Sequence, residues 1–167
     1  NPACPAQLSR NVIHFVSRDA MDISGLGPAV LEQLVEDGQI SSIVDIYRLQ
    51  REKLISLERM GEKSADNLIN AIESSKGRDF YRFIYALGIR HIGKGAAKLL
   101  AKAFPSIESL YAATVEEMAG IDGFGEVMAQ SVADYFAIEQ NRQLISELAD
   151  FGIKMHADEE ARAGGVF

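Results

Sequence analysis

The residues best suited to chemistry in this 167-residue chain are four regularly spaced glycines, two of which lie beside basic side chains. Each glycine ends one short pattern, which is an apolar residue, two variable residues, an apolar residue and the glycine. The copies end at Gly27, Gly61, Gly93 and Gly125, which lie 34, 32 and 32 residues apart. A helix that starts at such a glycine exposes the N–H groups of its first turn, and these groups attract anions together with the helix dipole. The predicted chemistry is therefore the binding of phosphate.

The residues that follow each glycine predict the helix that presents these N–H groups. An apolar residue lies four and seven positions after every glycine, which is the spacing of one helix face. The four predicted helices cover about residues 28–37, 62–76, 94–104 and 126–138. Other helices are predicted at about 9–18, 80–87 and 140–151, with Ser42 and Ser106 as N-caps of two short connector helices. Residues 1–8 are predicted to be irregular, and 153–156 is the one stretch that a strand could occupy.

The repeat has a second level. A shift of 64 residues superimposes Ser42–Tyr47 on Ser106–Tyr111, and Gly61 on Gly125. The first two hairpins with their connector therefore resemble one unit, and the last two resemble its copy. The predicted fold class is all-α, built from tandem hairpin repeats in two duplicated pairs. The alternative is an ordinary helical bundle in which the glycines end helices.

The four turns differ in the side chains beside the glycine. The first and fourth have a second glycine two residues earlier, whereas the second and third have Arg59 and His91 there. The second and third are therefore expected to supply most of the electrostatic attraction. The predicted phosphate-binding residues are Gly25, Gly27, Arg59, Gly61, Lys63, Arg90, His91, Gly93, Lys94, Gly95, Gly123 and Gly125.

Charge along the chain favours the same chemistry. The formal net charge is −7, but residues 48–102 contain twelve Lys and Arg against six Asp and Glu. A basic middle in an acidic chain creates a directed field, which matters more for a polyanionic partner than the total charge. No apolar run approaches the 18 residues of a membrane span, and the single cysteine excludes an internal disulfide.

Longer stretches resemble one family. The turn pattern is similar to the helix-hairpin-helix motif, which contacts the nucleic-acid backbone without reading sequence. The N-terminal stretches Asn1–Leu8 and His14–Gly27 resemble the junction between zinc finger and helix-hairpin-helix domain in bacterial NAD-dependent DNA ligases. Residues 56–68 and 86–93 resemble later stretches of the same domain, in the same order.

The resemblance implies a domain layout. Residues 1–8 would end a zinc-finger segment, 9–152 would form the helix-hairpin-helix domain, and 153–167 would be a linker. The two hairpin pairs would cover about residues 19–76 and 85–138. Since the chain begins with Asn rather than Met, it is expected to be part of a longer protein.

The resemblance also implies a function. The parent enzyme would seal nicks in duplex DNA during replication and repair in the bacterial cytoplasm, at the nucleoid, using NAD, magnesium and zinc. This segment would bind nicked duplex DNA and the other ligase domains, with no catalytic residue and no cofactor of its own. Cys4 corresponds to one of four zinc ligands, so the site would be incomplete here. The family's nucleophile motif, Lys-x-Asp-Gly, is missing, so the segment is expected to be inactive alone.

Three other functions share some of these sequence features. A protein-interaction module is the main alternative, because hairpin pairs also mediate dimerisation. A base-excision glycosylase would need additional residues to form a pocket for the base, and four regular repeats leave few residues for one. Residues 88–95 nearly match a P-loop, but Gly95 stands where Ser or Thr would hold magnesium, and a helix rather than a strand is predicted before it.

Overall fold

The computed structural model describes residues 5–57 and 60–158. Within them the chain is helical, and its only β-type pairing is an isolated bridge between Ser106 and His156. The chain divides into two compact units, Asn1–Gly77 and Arg78–Phe167. This agrees with the prediction of an all-α fold built from two hairpin pairs.

In the described residues of the first unit there are four α-helices and one 3₁₀ helix. They are α1 (Pro5–Val16), α2 (Pro28–Glu36), the 3₁₀ helix (Ile43–Arg48), α3 (Arg51–Ile55) and α4 (Glu62–Ser75). Helix α1 packs on α2, α3 packs on α4, and the 3₁₀ helix contacts both α1 and α4. Phe15 and Tyr47 meet edge to face in the core, with ring centroids 6.3 Å apart. The Tyr47 hydroxyl lies 2.8 Å from the hydroxyl of fully buried Ser75, so these two polar groups are paired inside the core.

Six α-helices form the second unit as far as it is described, to residue 158. They are α5 (Phe80–Ala86), α6 (Lys94–Ala103), α7 (Ile107–Ala112), α8 (Val115–Ala119), α9 (Glu126–Ala137) and α10 (Glu139–Asp150). Helix α5 packs on α6, and α9 packs on both α8 and α10. Phe83, Leu100 and Val132 are fully buried in this unit. Every hairpin turn therefore joins two packed helices of one unit.

The connector helices begin as predicted, with different chemistry in the two copies. Ser42 caps the 3₁₀ helix, and the Asp45 carboxylate accepts hydrogen bonds from the N–H groups of Ser41 and Ser42, at 2.8 and 3.1 Å. In the second copy Ser106 caps α7, and the Ser109 hydroxyl takes the place of the carboxylate. Both copies therefore form a reciprocal capping box.

The structure corrects the predicted elements in three places. Helix α1 begins at Pro5 rather than Ser9, because proline suits a first helical position, where its missing N–H has no partner to lose. The short helices α3 and α8 had no prediction. Residues 153–157, predicted as the start of a linker, pack on the second unit: Ile153 is buried, and the N–H of Ala157 donates to the carbonyl of Pro105 at 2.7 Å.

Helix length also bears on membranes. Among the described residues, no helix is long and apolar enough to cross a membrane.

Candidate nucleic-acid interface

Four helices start in the same way. Helices α2, α4, α6 and α9 each have a glycine N-cap, at Gly27, Gly61, Gly93 and Gly125, with an extended backbone. The carbonyl of each glycine accepts the first helical hydrogen bond, at 2.9 to 3.0 Å, from the residue four positions later. The N–H groups before that bond have no partner inside the helix. Because glycine has no side chain to cap them, all four starts can donate to an anion.

The reason for glycine at these N-caps differs from the predicted one. The sequence predicts a backbone conformation that side chains resist, or a close approach of another backbone. Instead, φ lies between −75° and −89° at all four, which any residue adopts. A Cβ atom built at Gly27, Gly61, Gly93 or Gly125 has no neighbour within 4 Å. What glycine provides here is open space in front of the helix start.

The unusual backbone lies two residues earlier. Gly25 and Gly123 have φ of +98° and +86°, in the region that glycine adopts most readily. His91 occupies the same turn position in the third hairpin with φ of +68°, so its side chain does not change the turn. The third hairpin therefore forms the same left-handed turn without a glycine at this position. Arg59, at the same position of the second hairpin, lies outside the described residues.

The apolar residues of each pattern were predicted to point inward and hold the turn. Those of the first and third hairpins do so, since Ile23, Leu26, Ile89 and Ile92 are all buried. In the fourth hairpin Phe124 is buried. Three are only partly buried, namely Leu57, Met60 and Ile121. The first and third turns are therefore the more firmly anchored.

Four of the basic side chains predicted at the second and third hairpins are described, and they lie at the surface. Lys63 is the second residue of α4, and Lys94 is the first residue of α6. Arg90 and His91 are exposed in the turn before α6. Gly95, the second residue of α6, has open space where a Cβ would lie, which leaves that helix start accessible. The third hairpin therefore combines a bare helix start with three basic side chains.

A cleft in the first unit contains residues that the sequence analysis missed. Its volume is about 380 Å³, and it lies between the turn of the first hairpin and the start of α4. Ser24, Ser64 and Asn67 line it, beside Gly25 and Leu68. Hydroxyl and amide groups donate hydrogen bonds without charge, so they are chemically able to bind a phosphate although they are not basic. Their only sequence signal is their place near the two glycines.

The described residues contain no group of three or more His, Cys, Asp or Glu able to hold a metal ion. Cys4, the predicted zinc ligand, lies outside the described residues.

Comparison with known proteins agrees with the repeat architecture. A family model described as a helix-hairpin-helix motif matches residues 82–145, and one described as a SAM-like helix-hairpin-helix tandem matches residues 17–74. The two matches fall in different structural units, one in each.

Curated proteins give a second comparison. The chain is 50% identical over 165 residues to a DNA ligase of Pelotomaculum thermopropionicum, covering 99% of this chain and 24% of that protein. It is 48% identical over 164 residues to a DNA ligase of Desulforudis audaxviator, covering 98% of this chain and 24% of that protein. A DNA ligase of Geobacter sulfurreducens is 47% identical over 165 residues, with 99% and 24% covered. The chain thus spans about a quarter of the length of these relatives.

Proposed function

Since the chain belongs to the tandem helix-hairpin-helix proteins and is homologous to a segment of bacterial DNA ligases, we propose that it binds duplex DNA through the phosphate backbone, without reading base sequence. The observation that supports this most is the set of four helix starts at Gly27, Gly61, Gly93 and Gly125, each open to an approaching phosphate. Backbone N–H groups at a helix start recognise the phosphate and carry no information about the base.

Several helix starts are needed for useful affinity. One exposed start contributes roughly 0.3–1 kcal/mol to the binding of an anion, which is too little to hold DNA alone. When several act on one duplex, each later contact forms within a complex already made, so their contributions combine. The basic side chains Lys63, Arg90 and Lys94 add an attraction that weakens with salt.

The activity of the longer protein is a further part of the proposal. We infer an NAD-dependent ligase of the bacterial cytoplasm that seals nicks in replication and repair, with other domains supplying the catalytic centre. Magnesium would be bound by those domains, and zinc by a zinc finger to which this chain contributes Cys4. The role of the present chain would be to hold the nicked duplex while the others act on it.

Fluorescence anisotropy tests the binding proposal. The chain is titrated against nicked duplex, intact duplex and single strand of two unrelated sequences, at two salt concentrations. We expect duplex binding that weakens steeply with salt and is the same for both sequences. A double variant, Lys63→Gln with Lys94→Gln, should bind less tightly than Lys53→Gln with Lys76→Gln, which removes the same charge elsewhere. No duplex binding at low salt would overturn the proposal.

One observation favours the alternative of a protein-interaction module for the fourth hairpin. Val127, the second residue of α9, is 65% exposed and follows the acidic Glu126. An exposed apolar side chain beside a carboxylate suits a protein surface better than a phosphate. The same titration separates the two functions, because Gly125→Val should leave DNA binding unchanged if this helix start contacts protein and weaken it if the start contacts a phosphate.

A further inference from the structure

The four helices that start at an N-cap glycine can be compared position by position. Residues one, five and nine places after the glycine lie on one face of the helix, since they are four residues apart. All twelve such residues are exposed. In α6 they are Lys94, Lys98 and Lys102, which we call the lysine ridge. The residues at the same positions are Pro28, Glu32 and Glu36 in α2, Glu62, Asp66 and Asn70 in α4, and Glu126, Gln130 and Asp134 in α9.

The lysine ridge therefore carries three positive charges where each of the other three helices has two carboxylates. Helix stability does not explain the difference. Like charges four residues apart on a helix repel, and a positive charge at the first helical position opposes the helix dipole. Lys102 alone gains from the dipole, since it lies in the last turn of α6. Helices α4 and α9 instead have an acidic residue in the first turn, which the dipole favours.

A neighbouring helix holds the middle of the ridge in place. The Lys98 ammonium lies 5.1 Å from the centroid of the Tyr81 ring of α5, which is within cation–π range. Beside it is a mostly apolar cleft of about 250 Å³, lined in part by Tyr81, Lys98 and Lys102. Asp79 also lines this cleft, so one carboxylate faces two ammonium groups and the local charge stays positive. Lys98, the middle residue of the ridge, is thus held against α5 by the Tyr81 ring.

We infer that the lysine ridge extends the DNA contact of the third hairpin along the backbone, so that α6 binds several phosphates and not only the one at its N-terminus. The first and last lysine are eight residues apart, or about 12 Å along the helix. Phosphates of one strand are spaced about 3.4 Å along the duplex axis, so this length spans several of them. Lys98 and Lys102 are then DNA-binding residues, and Tyr81 is a positioning residue. The inference rests on the proposed function, because it presumes that the third hairpin contacts DNA.

The salt dependence of duplex binding tests the inference. The association constant K falls as salt rises, and the magnitude of the slope of log K against log salt, which we call the salt slope, is about 0.9 for each phosphate contact. The Lys98→Gln, Lys102→Gln double variant should lower the slope by about 1.8 and weaken binding roughly 60-fold at 0.1 M salt. The control is Lys53→Gln with Lys76→Gln, which removes two positive charges from α3 and from the C-terminal end of α4, outside α6, and it should keep the wild-type slope. Thermal melting should show that both variants are folded.

The outcomes distinguish the two proposals. If wild type binds duplex and the ridge variant keeps its slope, or if the control loses as much, the inference is wrong while the proposed function stands. If wild type does not bind duplex, both fail.

Tyr81 gives a second, independent readout. Tyr81→Phe keeps the ring under Lys98 and should keep the slope, whereas Tyr81→Ala should lower it by about 0.9. Equal slopes in the Phe and Ala variants would contradict the positioning role.

Discussion

Helices α6 and α9 of the second unit have the same start and opposite surfaces. Both begin at an N-cap glycine whose φ lies near −80°, and both pack a fully buried alanine four residues later, Ala97 or Ala129. On the exposed face, however, α6 has the lysine ridge (Lys94, Lys98 and Lys102), whereas α9 has two carboxylates and an amide. The buried residues of the repeat have therefore kept the hairpin geometry, while the exposed residues have made the copies different. Repetition of a fold does not make its copies equal in function.

Exchange of the exposed residues should have the largest effect. The triple variant Lys94→Glu, Lys98→Gln, Lys102→Asp gives α6 the residues of α9. If three phosphate contacts are lost, duplex affinity should fall roughly 500-fold at 0.1 M salt, and the salt slope should fall by about 2.7. Anisotropy at several salt concentrations measures both. Because only exposed positions change, the helical circular dichroism should be retained.

The reverse exchange sharpens the same point. The control variant places three lysines on the exposed face of α9, through Glu126→Lys, Gln130→Lys and Asp134→Lys. A steeper slope in this variant would show that the fourth hairpin also faces DNA and lacks only the charge. An unchanged slope would assign that hairpin to another role. If the α6 variant bound as tightly as wild type, charge would not be what distinguishes the two helices.

A side chain at the helix start should have the next largest effect. Gly93→Val fills the open space in front of α6, and we expect duplex binding to weaken roughly 30-fold at 0.1 M salt, from the loss of one helix start and of the phosphate at Lys94. Gly61→Val should behave similarly. The same change at Gly27 should cost less, since Pro28 removes one of the N–H donors there. Equal losses in the three variants, measured by anisotropy, would contradict this ranking of the hairpins.

Two substitutions of His91, in the turn before α6, separate the effect of its left-handed backbone from that of its imidazole side chain. Its left-handed φ disfavours branched side chains, so His91→Val should lower the free energy of unfolding by roughly 1–2 kcal/mol in urea denaturation. His91→Gly restores the residue type of Gly123 and should fold at least as well. If this glycine variant nevertheless binds DNA less tightly, the imidazole itself contacts the backbone. Normal binding by the glycine variant would leave His91 without a role at the interface.

Much of this organisation can be predicted from the sequence, for physical reasons. The four helices after the glycines have bounds within one residue of those predicted, because buried residues such as Ala97 and Leu100 recur at helical spacing. Helices α3 and α8 have five residues each, too few to show a period. The cleft residues Ser24 and Ser64 were missed because they come together only once two hairpins pack.

The charge difference between α6 and α9 is present in the sequence, but the sequence does not show which of these charged side chains share an exposed face. Lys98 and Lys102 contribute to the basic middle of the chain, yet only the structure shows that they share one exposed face with Lys94. The role predicted for the N-cap glycines was wrong for a similar reason, since a sequence does not show whether the space beside a glycine is filled or open. Backbone geometry is thus easier to predict here than the surface that it presents.

The smallest expected effect concerns the capping boxes of the two connectors. Burial acts to raise the pKa of the Asp45 carboxyl, but hydrogen bonds from Ser41, Ser42 and Arg48 hold that pKa below its ordinary value. A carboxylate with a lowered pKa stabilises the folded state above its unfolded pKa of about 3.9, and this contribution is lost as the pH falls through the folded value. Asp45→Asn should therefore lower the free energy of unfolding by about 1 kcal/mol or less at pH 7, with no difference from wild type near pH 2. The matched variant Ser109→Ala in the second unit should cost a similar amount at both pH values, because a hydroxyl does not titrate there. Urea denaturation at the two pH values measures both, and a pH-independent loss in Asp45→Asn would mean that the carboxylate acts by shape and hydrogen bonding rather than by charge.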